Sequence, residues 1–284
     1  MRQPLPRAAL AFCLLILCLF GSPACRHGGE NSKIERLLTA EELYEAGRDR
    51  LKPRRTLLFF KVVDTEGAVA TFQQIIDNFP TSEYALQAEL MIAEAYYNEG
   101  KYDEAAVYYD DFIRSHPTHG SVPQAIYQTG MCKFKRLPIK ERDQTRTKEA
   151  AGYFELLINK FPESPFSEKA RQRLLECKGQ LAEHDFFVAK FYMKQEDYRG
   201  ALNRCNSILA NYPGAGCDAR ALYCVGVANY HLDEPQKARD AFERLVEEHP
   251  SDSKVGSARG YLARLQSLEE RQGEFEDSTD LSLQ

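Results

Sequence analysis

The 284 residues contain no glycine-rich phosphate loop, no G-x-S-x-G elbow and no HExxH pair. Their absence removes the signatures of nucleotide hydrolysis, α/β-hydrolase chemistry and zinc proteolysis. Histidine is scarce, at six residues, and neither His119 nor His184 has a spaced partner that would make a metal site. Excess positive charge is also missing: the net charge is −5, which argues against nucleic acid as a partner. The longest apolar run, Ala8 to Phe20, is thirteen residues, against the roughly 20 that a membrane-spanning helix needs. Carboxylates are plentiful, but Glu and Lys are ordinary helix-surface residues. The expectation is a protein that is not an enzyme and holds neither metal nor cofactor.

What is present is a register. Five alanines each have a proline twelve residues downstream: Ala68/Pro80, Ala105/Pro117, Ala150/Pro162, Ala201/Pro213 and Ala238/Pro250. Four residues after the alanine stands Phe72, Tyr109, Phe154, Cys205 or Phe242, and seven after it Ile75, Phe112, Leu157, Ile208 or Leu245. The proline is preceded by Phe79, His116, Phe161, Tyr212 or His249. Offsets 0, 4, 7 and 11 share one face of an α-helix, so each block predicts an amphipathic helix that the proline ends. His116 and His249 hold a seam position taken by aromatics elsewhere, and are expected to pack. Ser82, Ser164 and Ser253 follow where the next helix needs an N-cap, and Pro165 suits a first helical position.

Twelve residues upstream of the alanine sit Ala93, Ala189 and Gly226, followed three later by Tyr96, Tyr192 and Asn229. Small residue, aromatic, then alanine, aromatic and proline resembles the tetratricopeptide repeat, a helix–turn–helix unit of about 34 residues. The fold expected is all-α: a tetratricopeptide-repeat solenoid of five helix pairs with a C-terminal capping helix. In repeats one and three the small residues are Gly47 and Gly130, 21 and 20 residues before the alanine, so insertions fall near Lys52–Glu66 and Lys135–Lys148. The solenoid is placed at 39–271. After Pro250, Val255, Ala258, Tyr261, Leu262, Leu265 and Leu268 keep a helical period, and the acidic stretch 272–284 is expected to be disordered.

The N-terminus is a targeting segment, with Arg2 and Arg7 before the apolar run and Gly21-Ser22-Pro23-Ala24-Cys25 after it. A small residue directly before a cysteine resembles the bacterial lipobox, which places a signal peptide at 1–24 and a lipid on Cys25. Residues 25–38 read as a lipidated flexible tether, and Arg26 in place of aspartate favours the outer membrane. Cys13 and Cys18 leave with the leader, so Cys132, Cys177, Cys205, Cys217 and Cys224 remain, an odd number for an oxidising compartment. Cys205 reads as a small buried seam residue. Cys217 and Cys224 are close enough in sequence to raise a local disulfide. Residues Lys133 to Lys148 are rich in Lys and Arg, a run that suits an acidic partner, lipid head groups or plain solvation.

Counting from the small residue of each repeat, positions facing the groove are Tyr44, Arg48, Leu90, Tyr97, Asn98, Tyr127, Phe134, Phe186, Lys190, Tyr223 and Tyr230. Aromatics with a few polar groups suit an extended peptide, or pack on the next repeat. Further segments carry more than the generic repeat: Asp111 to His119, Arg142-Asp143-Gln144-Thr145, Phe161-Pro162-Glu163-Ser164, Leu181 to Ala189, Phe191-Tyr192 and Ala201-Leu202-Asn203-Arg204. Together, from Thr39 to Pro250, these resemble the BamD (ComL/YfiO) family of outer-membrane assembly lipoproteins. The resemblance implies a lipid-anchored scaffold on the periplasmic face of the outer membrane. It implies a BamA-like barrel protein, met through a POTRA domain, as partner, with other assembly-machine lipoproteins and unfolded outer-membrane protein clients. It puts Arg204 in the region contacting the barrel subunit. Another tetratricopeptide-repeat lipoprotein, such as a type IV pilus or secretin pilotin or a cell-wall synthesis coordinator, is the alternative.

Overall fold

The computed structural model describes residues 37–55 and 61–281, and the side chains of residues 37–53 and 63–271. The expected signal peptide, Cys25, the tether up to residue 36 and the centre of the first insertion lie outside the described residues. Five helix pairs follow one another along the chain: α1 (Ala40–Arg50) with α2 (Thr65–Asn78), α3 (Glu83–Glu99) with α4 (Tyr102–Ser115), α5 (Val122–Phe134) with α6 (Thr145–Lys160), α7 (Pro165–Lys194) with α8 (Tyr198–Asn211), and α9 (Asp218–His231) with α10 (Pro235–Glu248). An eleventh, α11 (Val255–Leu281), closes the series against α10. Each helix packs mainly on its neighbours in sequence, the arrangement of an all-α solenoid of tetratricopeptide type.

The seam is as the register predicts. Ala68, Ala105, Ala150, Ala201 and Ala238 are fully buried, and the residues four and seven positions later are no more than 2% exposed. Burying Phe72, Phe112, Phe154 and Phe242 stabilises the stack by roughly 2–3 kcal/mol per ring. Every second helix ends on the residue before the proline, whose N–H still reaches the carbonyl four residues back; φ there is −129° to −134° in all five. His116 and His249 are both half-buried at this position. The His116 ring packs 5.0 Å from Phe112, and its Nε2 also lies 2.9 Å from the Glu89 carboxylate.

Repeats one, three and five share a contact that the even repeats lack. A Cβ built on Gly47, Gly130 or Gly226 would lie 2.6, 2.7 or 2.5 Å from a ring carbon of Phe72, Phe154 or Phe242. Glycine in a helix interior costs about 1 kcal/mol against alanine, and here it lets the ring sit against bare backbone. The tyrosine three residues before each glycine lies on the same ring: Tyr44–Phe72, Tyr127–Phe154 and Tyr223–Phe242 have centroids 5.8, 6.0 and 6.0 Å apart. In repeats two and four the small residue is alanine, and the seam position holds Tyr109 or Cys205.

The tight turns joining paired helices need one left-handed residue. Gly100 supplies it in repeat two, and Glu196 and Asp233 adopt φ of 59° and 61° in repeats four and five. The following N–H in each case bonds back to the carbonyl of Tyr96, Tyr192 or Asn229, as in a Schellman motif. Repeats one and three replace this turn with their insertions. The first carries a two-stranded antiparallel ribbon, β1 (Arg54–Arg55) with β2 (Lys61–Val62), an element the helical periodicity does not announce. The second, between α5 and α6, is an irregular loop.

Several expectations need correction. Ser82 and Ser164 cap α3 and α7, but Ser253 does not cap α11: the Asp252 carboxylate accepts from the Lys254 N–H there. Helix continues through the acidic stretch as far as Leu281. Polarity argues against burial but not against helix, and extending a helix already nucleated on α10 needs no new nucleus. The Cys217–Cys224 bridge that sequence spacing leaves open is not formed, since all five described cysteines are free. Seven residues along a helix set Cα atoms about 10 Å apart, beyond disulfide reach. Cys224 instead shares a buried core with Cys205 of α8, and the neighbouring thiol together with burial raises the Cys205 pKa.

The glycine contacts yield a paired test. Gly226→Ala should lower stability by about 1–3 kcal/mol through overpacking on Phe242. Gly152→Ala, on α6 with open space around its Cβ direction, should be neutral or stabilising by about 0.5–1 kcal/mol. Thermal unfolding followed by circular dichroism separates the two.

Candidate functional site

Helix α7 runs for 30 residues because nothing interrupts it between Pro165, its first residue, and the turn at Gln195–Glu196. Its first half belongs to the core of repeat three, through Ala170 and Cys177. Its second half belongs to the next core, through Ala182 and Ala189. On that second half Phe186, Lys190 and Met193 share one face. Arg220, Tyr223, Cys224 and Val227 share a face of α9. With Lys254, just before α11, these residues enclose a concavity of about 390 Å³.

The floor is apolar and the rim cationic. Phe186 stands where Tyr44, Tyr127 and Tyr223 stand in the odd repeats, but its own repeat offers Cys205 rather than a phenylalanine. Its ring meets the Arg220 guanidinium instead, 4.9 Å from the centroid. Arg220 also donates to the Glu183 carboxylate and holds it below the usual carboxylate range. Cys217 completes this corner, 2.9 Å from Arg220, with its thiol pushed up to about 11 by burial. Lys254 lies 5.2 Å from the Tyr223 ring. Lys190 is exposed and has no ion-pair partner among the described residues. Three cations, one of them paired to Glu183, therefore border an aromatic floor, an arrangement that accepts an extended segment presenting an acid beside an apolar side chain.

The sequence-predicted positions do not form one continuous stripe. Phe186, Lys190 and Tyr223 converge on this groove. Tyr230 lies beside it and packs edge-on to Tyr261 at 5.1 Å. Tyr127 and Phe134 are roofed by the first half of α7: Tyr127 packs on Phe166 at 5.7 Å, and the Arg173 guanidinium sits 5.3 Å from the Phe134 ring. Tyr97 packs edge-on to Tyr102, and Leu90 is half-buried against the same core. At the other end Tyr44 packs on Tyr84, with Arg48 5.8 Å over its ring and paired to Glu45. Asn98 is exposed. Arg204 is on α8, half-exposed, and donates to Asp185 at 3.2 Å. Asp185 is buried, so Arg204 has an internal task as well as an exposed edge. Met193, Arg220, Cys224, Val227 and Lys254 are the groove residues absent from the predicted positions, and Arg220 and Lys254 are the charged ones. Arg220 is one turn before Tyr223, which the register does find; Lys254 lies in a loop, where helical spacing says nothing.

Among the described residues no cluster of three or more His, Cys, Asp or Glu side chains is placed to hold a metal ion. No described helix is long and apolar enough to cross a membrane.

Comparison with known proteins follows the same span. Residues 38–245 match the family described as YfiO, outer membrane lipoprotein. The chain is 28% identical over 228 residues to the outer membrane protein assembly factor BamD of Neisseria gonorrhoeae, covering 77% of this chain and 82% of that one. It is 27% identical over 197 residues to the protein of that name in Xylella fastidiosa strain 9a5c (65% and 68%), and 26% over 227 residues to that of Pasteurella multocida (76% and 81%).

The groove's ion pair gives a pH dependence. Glu183 has a lowered folded-state pKa, so its contribution is present above the unfolded carboxylate value and is lost as pH falls through the folded one. Between about pH 5 and pH 3 the native chain should lose more stability than Arg220→Gln, which lacks the pair. Equal acid sensitivity in chemical denaturation would show that the pair contributes nothing.

Proposed function

Because the chain belongs to the YfiO family of outer membrane lipoproteins, we propose that it is a non-catalytic scaffold for the assembly of outer-membrane β-barrel proteins. It is held to the periplasmic face of the outer membrane by lipid on Cys25. The relatives' shared designation as outer membrane protein assembly factors supports the role. The cation-rimmed groove of repeats four and five is the observation that carries the mechanism. Its work is to bind and align: it docks a periplasmic POTRA domain of a BamA-like barrel protein, and the solenoid presents unfolded clients to that partner. Other assembly lipoproteins share the scaffold. Binding energy comes from apolar side chains laid on Phe186, Met193, Tyr223 and Val227, while the rim cations select for acid and speed encounter.

Arg204 sits on the edge of the same repeat. Its pairing with Asp185 means that Arg204→Glu would place two carboxylates together, so a loss of docking in that variant mixes with a loss of stability. Rim residues without ion-pair partners among the described residues give a cleaner test. Lys190→Glu with Lys254→Glu should weaken capture of the purified POTRA domains by about tenfold or more, with unchanged helix content. Unaltered affinity would remove the groove from the docking surface. Cys25→Ser should move the protein from the outer-membrane fraction to the soluble fraction under a high-salt wash, which strips electrostatic contacts but not acyl chains; retention through that wash would end the lipid-anchor reading.

A further inference from the structure

The second insertion, between α5 and α6, is a built surface. Residues 133–148 carry seven Lys and Arg against two carboxylates, on a chain whose net charge is −5. Four loop carbonyls are drawn inward by side-chain N–H donors. The buried Gln144 amide donates to the Ile139 and Arg142 carbonyls at 2.9 Å each. From α7, Gln180 donates to the Pro138 carbonyl at 2.8 Å and His184 to that of Lys140 at 2.5 Å. The negative ends of these peptide dipoles therefore point into the protein. What faces outward is mainly cationic and apolar, with Glu141 and Asp143 as the two exposed acids and Asp143 on the lining. Arg136, Arg142 and Arg146 border a shallow concavity of about 770 Å³, beside Leu137, Pro138 and Ile139.

Two of those arginines share one acid: Arg136 and Arg146 lie 2.5 and 2.8 Å from opposite oxygens of Asp103. Asp103 fixes both guanidinium groups and neutralises one charge. Arg142 has no ion-pair partner among the described residues, and its side chain is exposed. Beside it Ile139 is 63% exposed, the most exposed large hydrophobic residue after Leu37 among the described residues. An isoleucine at the tip of a pinned loop, flanked by Lys140, Arg142 and Lys135, has little to gain from water. Phosphates would meet the guanidinium groups in paired hydrogen bonds, and acyl chains would take the isoleucine.

We propose that the loop of residues 135–146 is a second membrane contact, binding the anionic phosphate head groups of a bilayer surface through Arg142 and its neighbours while Ile139 enters the interface. The loop differs from the groove of repeats four and five in this respect: its apolar residue stands at an exposed tip rather than on a concave floor, which suits a bilayer better than a peptide. The inference rests on the chain's working at a membrane and not on what the groove binds. A lipid anchor supplemented by a basic patch is the two-signal arrangement that converts reversible attachment into stable attachment.

The test uses the full chain with Cys25→Ser, so that no acyl chain contributes. Vesicles of phosphatidylcholine alone are compared with vesicles containing equal parts of phosphatidylglycerol, at low ionic strength. The protein should sediment with the anionic vesicles and stay soluble with the neutral ones. Arg142→Glu should weaken that binding by about fivefold or more, and Ile139→Ser by about fivefold. Lys237→Glu, an exposed charge on α10, should leave it unchanged. Equal binding to both vesicles, or equal losses in Arg142→Glu and Lys237→Glu, would overturn the proposal. Displacement by millimolar inorganic phosphate at matched ionic strength would show a site for the free anion instead. Loop variants that bind vesicles normally but lose the purified POTRA domains would make the loop a protein-docking surface, again against the proposal.

Discussion

The stack depends on rings seated against bare helix backbone. Phe72, Phe154 and Phe242 each lie where a Cβ on the partner helix would stand less than 3 Å away, and a tyrosine one turn earlier closes over the same ring. Repeats one, three and five are locked in this way. Repeat four has a cysteine in place of the ring, and the corresponding aromatic, Phe186, turns to a guanidinium at the surface. The groove thus opens where the packing unit is incomplete. The same omission that weakens a core contact frees an aromatic face.

The fold was largely legible because its signal is periodic. A seam at offsets 0, 4, 7 and 11, stopped by proline, leaves one helical solution, and the seam residues Ala150, Phe154 and Leu157 are buried as their spacing requires. Features set by contacts across the stack were not legible. No local mark in the sequence distinguishes the long α7 from an ordinary helix followed by a turn, because its length comes from the lack of a breaker. Its first half then covers Tyr127 and Phe134, which helical counting alone assigns to an open stripe. Cys205 and Cys224 are neighbours through the packing of α8 on α9, whereas Cys217 and Cys224 are merely near in sequence.

The candidate site was half legible for the same reason. Phe186, Lys190 and Tyr223 sit at fixed distances from the small residues of their helices and could be counted out. Arg220 and Lys254 supply two of the three rim cations, and neither belongs to the repeat consensus. Charge placement in a solenoid is not tied to the packing period, since surface positions carry no packing requirement. The basic loop after α5 shows the complementary case: its composition was visible in sequence, but its rigidity rests on Gln144, Gln180 and His184, two of them more than 40 residues away.

Helix α7 has a mechanical consequence. In a solenoid of separate units each repeat can open alone, and opening passes from neighbour to neighbour at the cost of one interface at a time. A single rod seated in two cores removes that freedom at its midpoint, because fraying its first half withdraws support from the second. Repeats three and four therefore form one cooperative block, flanked by units that can breathe independently. Slow amide exchange concentrated at the centre of α7, rather than spread evenly over five repeats, is the physical form that such a block takes.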